Sequence, residues 1–93
     1  MVVGLLTARL AVYGATSLKD KRRVIKSLKD KIRNKFNVSI AEVDAQDSRQ
    51  RAVLAAAVVA TDTQFAQSSL QQLLNMIRGY RGSTLIDYEI DIL

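Results

Sequence analysis

The 93 residues are 48% apolar, which is sufficient for one domain with a single core. The sequence contains no cysteine and no histidine, which excludes disulfides, thiol nucleophiles, imidazole catalysis and ordinary zinc sites, so we expect neither a metal nor a cofactor. The net charge is +5, but nine basic and only two acidic residues lie between Lys19 and Lys35, so the basicity belongs to one segment.

No stretch of the sequence predicts a membrane span or a secretion signal. The apolar run Val53–Ala60 is far shorter than the roughly 20 residues that a membrane-spanning helix needs. Regular structure is predicted from Val2 onward, which leaves no room for a signal peptide. We therefore expect a cytoplasmic protein without a membrane partner.

A strand and a long helix are predicted first. Over Val2–Tyr13 every second residue is small or apolar, which indicates a strand with one buried face. Ser17 is a predicted helix N-cap, with Asp20 as its capping-box partner. Apolar residues then recur every three or four positions and predict an amphipathic helix over Leu18–Lys35. Its apolar stripe consists of Leu18, Val24, Ile25, Leu28, Ile32 and Phe36.

Two strands joined by a polar loop are predicted next. Asn37–Asp44 alternates weakly, and the residues up to Gln50 are polar, as in a hairpin loop. Arg51–Ala60 is apolar on both faces, which is typical of a central strand but leaves its register ambiguous. The buried face is assigned to the set that contains the largest side chain: Leu54, Ala56 and Val58.

A second amphipathic helix and a final strand complete the chain. Thr61 and Asp62 are predicted to cap the helix, and Gly79 fits the position just beyond its C-terminal end. Thr84–Leu93 alternates most clearly. The side assigned to the core carries Ile86, Tyr88, Ile90 and Ile92. The other side carries Asp87, Glu89 and Asp91.

The order β-α-β-β-α-β predicts an α+β fold of the ferredoxin-like type, with residues 1–93 forming a single domain. Both helices are expected to cover one face of a four-stranded antiparallel sheet. The first and last strands are neighbours in this topology. We therefore expect Arg9 to form a cross-strand ion pair with the acidic residues of the last strand on the open face.

The first helix carries a basic face. At 100° per residue, six cations fall within an arc of about 120°. They are Lys19, Arg22, Arg23, Lys26, Lys29 and Arg33. Such a face costs stability, because cations in the first turn oppose the helix dipole and like charges four residues apart repel each other. We interpret it as a nucleic-acid-binding surface for RNA phosphates, with RNA or a ribosomal particle as the partner.

Other interpretations of these charges stay open. A solvated helix face and a face that docks an acidic protein show the same pattern. If RNA is the partner, base stacking on the sheet is not expected, because Arg51–Ala60 contains no aromatic residue and the open face carries an acidic row of Asp87, Glu89 and Asp91. Contacts to the RNA backbone that are largely independent of sequence are expected instead.

The open sheet face is a second candidate surface. Its apolar residues are predicted to form an exposed patch beside the acidic row, and such patches often mark interfaces. The predicted interface consists of Val3, Leu5, Tyr13, Val53, Ala55 and Ala57, extended by Ala11 and Val59. A homodimer through this face, or a scaffold for another protein, is the alternative function.

A hydrolase is a further alternative. Some ferredoxin-like proteins hydrolyse acyl phosphates with a loop after the first strand, an arginine and an asparagine, and Gly14–Arg23 with Asn37 superficially supplies those parts. A phosphate cradle needs several inward backbone N–H groups, usually provided by multiple glycines, and this loop has Gly14 alone. We therefore expect a non-catalytic module.

Three segments carry a resemblance to a known family: SLKDKRR at residues 17–23, FNVSIAEVD at 36–44 and DYEIDIL at 87–93. The chain resembles the YlxP-like family of small bacterial proteins over essentially its whole length. The resemblance implies a ferredoxin-like fold and no established catalytic activity. Family genes often lie near genes for translation and ribosome maturation, which implies an RNA- or ribosome-linked role by association. Ala45 and Arg49 stand where the family usually has a histidine and an aromatic residue.

Overall fold

Six elements follow one another in the computed structural model, which describes residues 1–93. They are β1 (Val2–Ala11), α1 (Leu18–Lys35), β2 (Ser39–Asp44), β3 (Arg51–Ala60), α2 (Thr63–Gly79) and β4 (Thr84–Ile92). The strands form one antiparallel sheet in the order β2-β3-β1-β4. The predicted ferredoxin-like arrangement is confirmed, and the predicted bounds of α1 and β3 agree with the structure.

The core lies between the sheet and the two helices. Alternate residues of β1 and β3 point into it, because successive side chains of a strand lie on opposite faces. Leu54, Ala56 and Val58 are buried, as predicted. The helices add apolar stripes to the same core: Ile25, Leu28 and Ile32 from α1, and Ala66, Leu70, Leu73, Leu74 and Ile77 from α2.

Both helices begin at a capping side chain. Ser17 Oγ accepts a hydrogen bond from the backbone N–H of Asp20 at 3.1 Å, and Asp62 Oδ1 accepts one from the N–H of Phe65 at 2.8 Å. Each cap satisfies an N–H group that has no partner within the helix. The predicted capping box is wrong, because the Asp20 carboxylate accepts from the backbone N–H and the hydroxyl of Thr16 rather than returning to Ser17.

The predicted position of Gly79 is also wrong. Gly79 is the last residue of α2, and no glycine has the positive φ typical of the residue beyond a helix. The residue after the helix, Tyr80, caps it instead: its backbone is extended, and its N–H donates to the Ile77 carbonyl at 3.2 Å. A left-handed residue is not needed for this termination.

A bulge interrupts the pairing of β1 with β4. Arg9 pairs with Asp87, but the next residue, Leu10, pairs with Leu85, so Ile86 has no partner in β1. Leu85 packs against the core, whereas Ile86 is 50% exposed. The predicted inward position of Ile86 is therefore wrong, because a bulge shifts the alternation of the strand by one residue.

Gly4 allows α2 to lie close to β1. A Cβ atom at this position would lie 2.9 Å from Leu70 Cδ1, 3.2 Å from Val58 Cγ1 and 3.3 Å from Ala66 Cβ. These distances are shorter than ordinary carbon contacts of about 3.5 to 4.0 Å. The missing side chain of Gly4 thus sets how closely the helix packs on the sheet.

Candidate nucleic-acid interface

The six predicted cations of α1 form a row on its solvent side. We call this row the basic ridge; it consists of Lys19, Arg22, Arg23, Lys26, Lys29 and Arg33. All are exposed except Lys29, which is half-buried. From the first to the last of them the helix axis extends about 21 Å, at 1.5 Å per residue. The ridge is therefore long enough to face several phosphates of a nucleic acid.

Asp30 neutralises part of the basic ridge. Its carboxylate lies 2.8 Å from Lys26 Nζ and 3.7 Å from Arg33 Nη1. Arg33 also donates to the Ile40 carbonyl at 3.0 Å, so its guanidinium lies against β2. The other four ridge cations have no carboxylate of the chain within 4.0 Å: Lys19, Arg22, Arg23 and Lys29.

Two carboxylates beside the ridge stay ionised at neutral pH. Hydrogen bonds from the hydroxyl and the backbone of Thr16 lower the pKa of Asp20, and the hydrogen bond from Lys26 lowers the pKa of Asp30. A carboxyl with a lowered pKa stabilises the fold above its ordinary pKa, and this contribution is lost as the pH falls through the lowered value. The partial neutralisation of the ridge therefore persists at physiological pH.

Lys21 points into the molecule and does not belong to the ridge. Its side chain is fully buried, and its Nζ lies 2.7 Å from Glu42 Oε2. The same ammonium contacts the backbone carbonyls of Ala45, Gln46 and Arg51 at 3.0, 3.3 and 3.2 Å. These contacts satisfy all three donors of an ammonium group. Lys21 thereby ties the start of α1 to the β2–β3 hairpin.

Sequence reasoning missed the role of Lys21, although the sequence contains a signal for it. Lys21 lies three residues after Leu18 and four before Ile25, on the apolar stripe of the helix. A lone cation on a buried stripe is satisfied only by a buried partner. The partner, Glu42, follows in the next strand.

The β2–β3 hairpin loop lies against the turn that joins β1 to α1. The backbone N–H of Val12 donates to the Gln50 carbonyl at 2.9 Å. The Gln50 side-chain amide donates to the carbonyls of Tyr13 and Ala15 at 3.4 and 3.5 Å. These bonds hold the two segments side by side at the end of the sheet where α1 begins.

Two clefts open at this end of the domain. The first has a volume of about 530 Å³ and is lined by Tyr13, Ala15, Thr16, Ser48, Arg49 and Gln50. The second, of about 390 Å³, lies on the other side of Ala15 and brings Arg81 of the α2–β4 loop beside Arg23 and Asp20. Cations outside α1 thus extend the positive surface past the end of the basic ridge.

The predicted apolar residues share the open face of the sheet. Val3, Leu5, Val53, Ala55 and Ala57 are half-buried there, and Val59 is 68% exposed. Tyr13 lies just beyond β1, at the end of this face, with the Arg51 guanidinium 5.4 Å from its ring centroid.

Ala11 was expected to extend the open-face patch, and this prediction is wrong. Ala11 is fully buried. It pairs with Arg51 on one side and with Thr84 on the other, and its methyl group is shorter than the side chains of both neighbours.

Arg9 forms the predicted ion pairs on the open face. Its guanidinium lies 3.4 Å from Asp87 Oδ2 and 3.6 Å from Glu89 Oε1. These side chains are largely exposed, so the pairs contribute little to stability. They do, however, occupy Arg9, which leaves the acidic row with no further cation to neutralise it.

Comparison with known proteins assigns the chain to a family. Residues 3–90 match the family model described as "Protein of unknown function (DUF503)". The chain belongs to this family. It is 35% identical over 79 residues to the "Uncharacterized protein YlxP" of Bacillus subtilis (strain 168), an alignment that covers 85% of this chain and 86% of that relative. The predicted YlxP-like resemblance is confirmed.

Two solved structures share the fold of this DUF503 chain. The de novo designed protein Foldit4 superimposes with a TM-score of 0.56 at 14% identity, covering 100% of this chain and 97% of the design. SnoaB, a cofactor-independent oxygenase from Streptomyces nogalater, gives a TM-score of 0.52 at 16% identity, covering 99% and 90%. At these identities the likeness shows the fold alone.

The residues considered for a hydrolase do not meet in this DUF503 chain. Gly14 lines a cleft near the first turn of α1, whereas Asn37 lines a groove beyond its last turn. No three His, Cys, Asp or Glu side chains are grouped so that they could hold a metal ion. Neither helix has the length and apolar character that crossing a membrane requires.

Proposed function

We propose that this chain is a non-catalytic, cytoplasmic RNA-binding module that contacts the RNA backbone through the basic ridge. The observation that carries the proposal is the row of four solvent-facing cations on α1 without a carboxylate partner. A polyanion supplies the missing negative charges, and it releases its condensed counterions when it binds.

The basic ridge is costly for an isolated domain. Lys19 lies in the first turn of α1, where the helix dipole disfavours a cation by about 0.3 to 1 kcal/mol at low salt. Arg22 and Lys26 also stand four residues apart, as like charges that repel. A bound phosphate backbone removes both costs, whereas water and salt only weaken them.

The composition of the open sheet face favours binding through the RNA backbone, because the centre of this face does not suit the stacking of bases. β3 presents Val53, Ala55 and Ala57 there, and β4 presents the acidic row. Phosphates would be repelled by that row and attracted by the ridge on the other side of the domain. We favour the RNA of a ribosomal particle as the partner, because the family resemblance associates the chain with ribosome maturation.

Salt dependence of binding tests the proposal. Four unpaired ridge cations, or six if RNA displaces Asp30, predict a slope of log K against log salt of about −3 to −5, depending on whether the RNA is paired. The measurement is a titration of purified protein with a labelled RNA at several salt concentrations. A slope near zero would exclude binding through phosphates.

A pair of matched variants tests whether the charges of α1 are responsible. Lys19→Gln with Arg22→Gln removes two charges from the second and fifth positions after the Ser17 cap. Gln64→Glu with Gln67→Glu lowers the net charge equally at the same positions after the Asp62 cap. The α1 variant should lose about tenfold in RNA affinity at low salt, and its salt slope should fall by about 1.4 for single-stranded RNA.

The α2 variant is the control for net charge. We expect an affinity close to that of the unaltered protein, because α2 has no ridge. Both variants should melt at or slightly above the temperature of the unaltered protein, because all four positions are exposed, Lys19→Gln removes a cation that opposes the helix dipole, and Gln64→Glu adds an anion that favours it. Equal losses of affinity in the two variants would mean that overall charge and not the ridge attracts RNA.

The homodimer or scaffold function stays a prediction for the open face. The exposure of Val59, at 68%, beside a row of half-buried small apolar residues favours it. The molar mass in solution, measured by light scattering before and after nuclease treatment, separates self-association from bridging by RNA.

A further inference from the structure

Tyr13 is the most exposed aromatic side chain of the molecule. It is 62% exposed, above the 58% of Phe65 and the 41% of Tyr88. The Arg51 guanidinium lies over its ring at 5.4 Å from the centroid, so a cation covers part of the ring while the rest is open. An exposed aromatic ring backed by arginine is the arrangement on which unpaired bases stack in proteins that bind single strands.

Hydrogen bonds hold the Arg51 side chain and the backbone of Tyr13 in place. Arg51 donates from its guanidinium to the Gln50 carbonyl at 3.3 Å and from its backbone N–H to Ser48 Oγ at 3.1 Å. Gln50 in turn donates from its side-chain amide to the Tyr13 carbonyl at 3.4 Å. Because the backbone below the ring and the arginine against it are already ordered, less conformational freedom is lost when a ligand stacks there.

The cleft beside Tyr13 has the size and polarity of a site for a planar polar ring. Its volume of about 530 Å³ is within the range of small-molecule sites. Polar groups of Thr16, Ser48, Gln50 and Arg49 line it. The Thr16 hydroxyl and the Gln50 amide N–H groups already donate within the chain, so the donors left for a ligand are the Ser48 hydroxyl and the Arg49 guanidinium. The Arg49 guanidinium forms no salt bridge with the chain and stays available to a ligand. Stacking combined with hydrogen-bond donors at a ring edge is the chemistry that recognises a nucleobase.

The cleft continues the basic ridge. Thr16 in its wall directly precedes the Ser17 cap of α1, and Ala15 separates it from the cleft in which Arg23 of the ridge lies. An RNA backbone on the ridge therefore passes the mouth of the cleft at the N-terminal end of α1.

From these contacts we propose that the cleft between Tyr13 and Arg49 binds one unstacked base of a single-stranded RNA whose phosphates lie on the basic ridge. This inference rests on the proposed function and deepens it, since it names the form of RNA. A base within a duplex is paired and stacked and does not reach such a cleft, so loops and single strands are the ligands.

Two substitutions of Tyr13 and two RNA probes test the site. The probes are a 12-nucleotide single-stranded RNA of mixed sequence without internal pairing and the duplex that it forms with its complement, measured with the full chain at one salt concentration. Tyr13→Ala removes the ring, and we expect it to weaken single-strand binding by about fivefold or more and to leave duplex binding unchanged. Tyr13→Phe keeps the ring and should retain the affinity of the unaltered protein for both probes.

The outcomes separate this inference from the proposed function. The base site is supported if Tyr13→Ala loses affinity for the single strand but not for the duplex, and Tyr13→Phe loses affinity for neither. Equal affinities of Tyr13→Ala and the unaltered protein for the single strand, with the Lys19→Gln and Arg22→Gln variant still weakened, would overturn the base site and leave the ridge proposal standing. Equal losses on both probes would also overturn it. Failure of the unaltered protein to bind either probe would overturn both proposals.

Discussion

α1 and α2 cover the same face of the sheet, and each begins at a capping side chain and buries an apolar stripe. Their solvent sides differ. α1 carries nine basic residues, whereas α2 carries Arg78 as its one basic residue and otherwise presents mainly glutamine, serine and asparagine. Because α2 covers the same face without cations, a helix at this place does not need the exposed cations of the basic ridge, whereas the buried Lys21 does connect α1 to the hairpin. This difference between the helices supports the proposal that the basic ridge contacts a partner outside the domain.

The two helices also differ at their first fully buried position. Lys21 follows the Ser17 cap by four residues, and Ala66 follows the Asp62 cap by four residues; both are 0% exposed. Ala66 packs close to Gly4 of β1, whereas Lys21 reaches across to Glu42 and the hairpin loop. The same place in the fold thus serves close packing in one helix and a polar connection in the other.

The largest effect is expected from Lys21→Met, which turns the polar position of α1 into an apolar one. Methionine keeps the length of the side chain, but the Glu42 carboxylate and three backbone carbonyls lose their partner. Removing one member of a buried ion pair costs about 3 to 5 kcal/mol. In a domain of this size the melting temperature should fall by more than about 10 °C.

Lys19→Met is the matched control, because Lys19 is exposed and forms no salt bridge. Its free energy of unfolding should change by less than about 0.5 kcal/mol. The double variant Lys21→Met with Glu42→Leu should regain part of the loss, since it leaves no unpaired carboxylate. Similar melting temperatures for the two single variants would show that the Lys21 connection is dispensable.

A smaller effect is expected where α2 packs on β1. Gly4→Ala places a Cβ atom 2.9 Å from Leu70 Cδ1 and 3.3 Å from Ala66 Cβ, so the Leu70 side chain or α2 itself has to shift. Overpacking of this kind costs about 1 to 3 kcal/mol, which chemical unfolding measures. Gly14→Ala is the control, because nothing lies within 4 Å of a Cβ there. A Gly4→Ala variant as stable as the control would mean that the helix adjusts freely.

The smallest effect is expected from Asp30→Asn, which removes a carboxylate from α1 and so increases the difference in charge between α1 and α2. The substitution frees Lys26 and Arg33 from their shared carboxylate, so RNA affinity should rise by about threefold or less. Asp91→Asn changes the net charge equally on the open face, and it should leave the affinity as it is. If both substitutions raise affinity alike, the position of the charge is irrelevant.

Asp30→Asn also has a consequence for stability that depends on pH. The pKa of Asp30 is lowered, mainly by the hydrogen bond from Lys26, so the pair stabilises the fold at neutral pH and loses this contribution in acid. The variant should be slightly less stable than the unaltered protein at pH 7, and the difference should disappear below the lowered pKa. Thermal unfolding at several pH values measures this.

Sequence periodicity predicted the element order and the buried faces, because both depend on residues close in the chain. The bounds of α1 and the inward set Leu54, Ala56 and Val58 are confirmed. Ile86 was misassigned because the bulge opposite Arg9 arises from the pairing of β1 with β4, which no local pattern records. Gly79 was misassigned because the helix ends without a left-handed residue.

The candidate site was predictable only in part. The ridge follows from helical phase, and the pairing of Lys26 with Asp30 follows from their spacing of four residues. The contact of Arg51 with Tyr13 could not be predicted, because it depends on the register in which Ala11 pairs with Arg51. The same register places the β2–β3 hairpin loop beside the end of β1.

The acidic row also affects whether another molecule can pair with the edge of the sheet. β4 is a border strand, and its unpaired backbone groups could recruit a strand from another molecule, the step from which fibrils grow. A second copy of β4 docking there would bring Asp87, Glu89 and Asp91 against identical carboxylates, which repel one another. The opposite border, β2, is six residues long and bulged, so it offers little length for pairing. Both borders thus resist fibril growth, and concentrated solutions of this protein should remain free of amyloid.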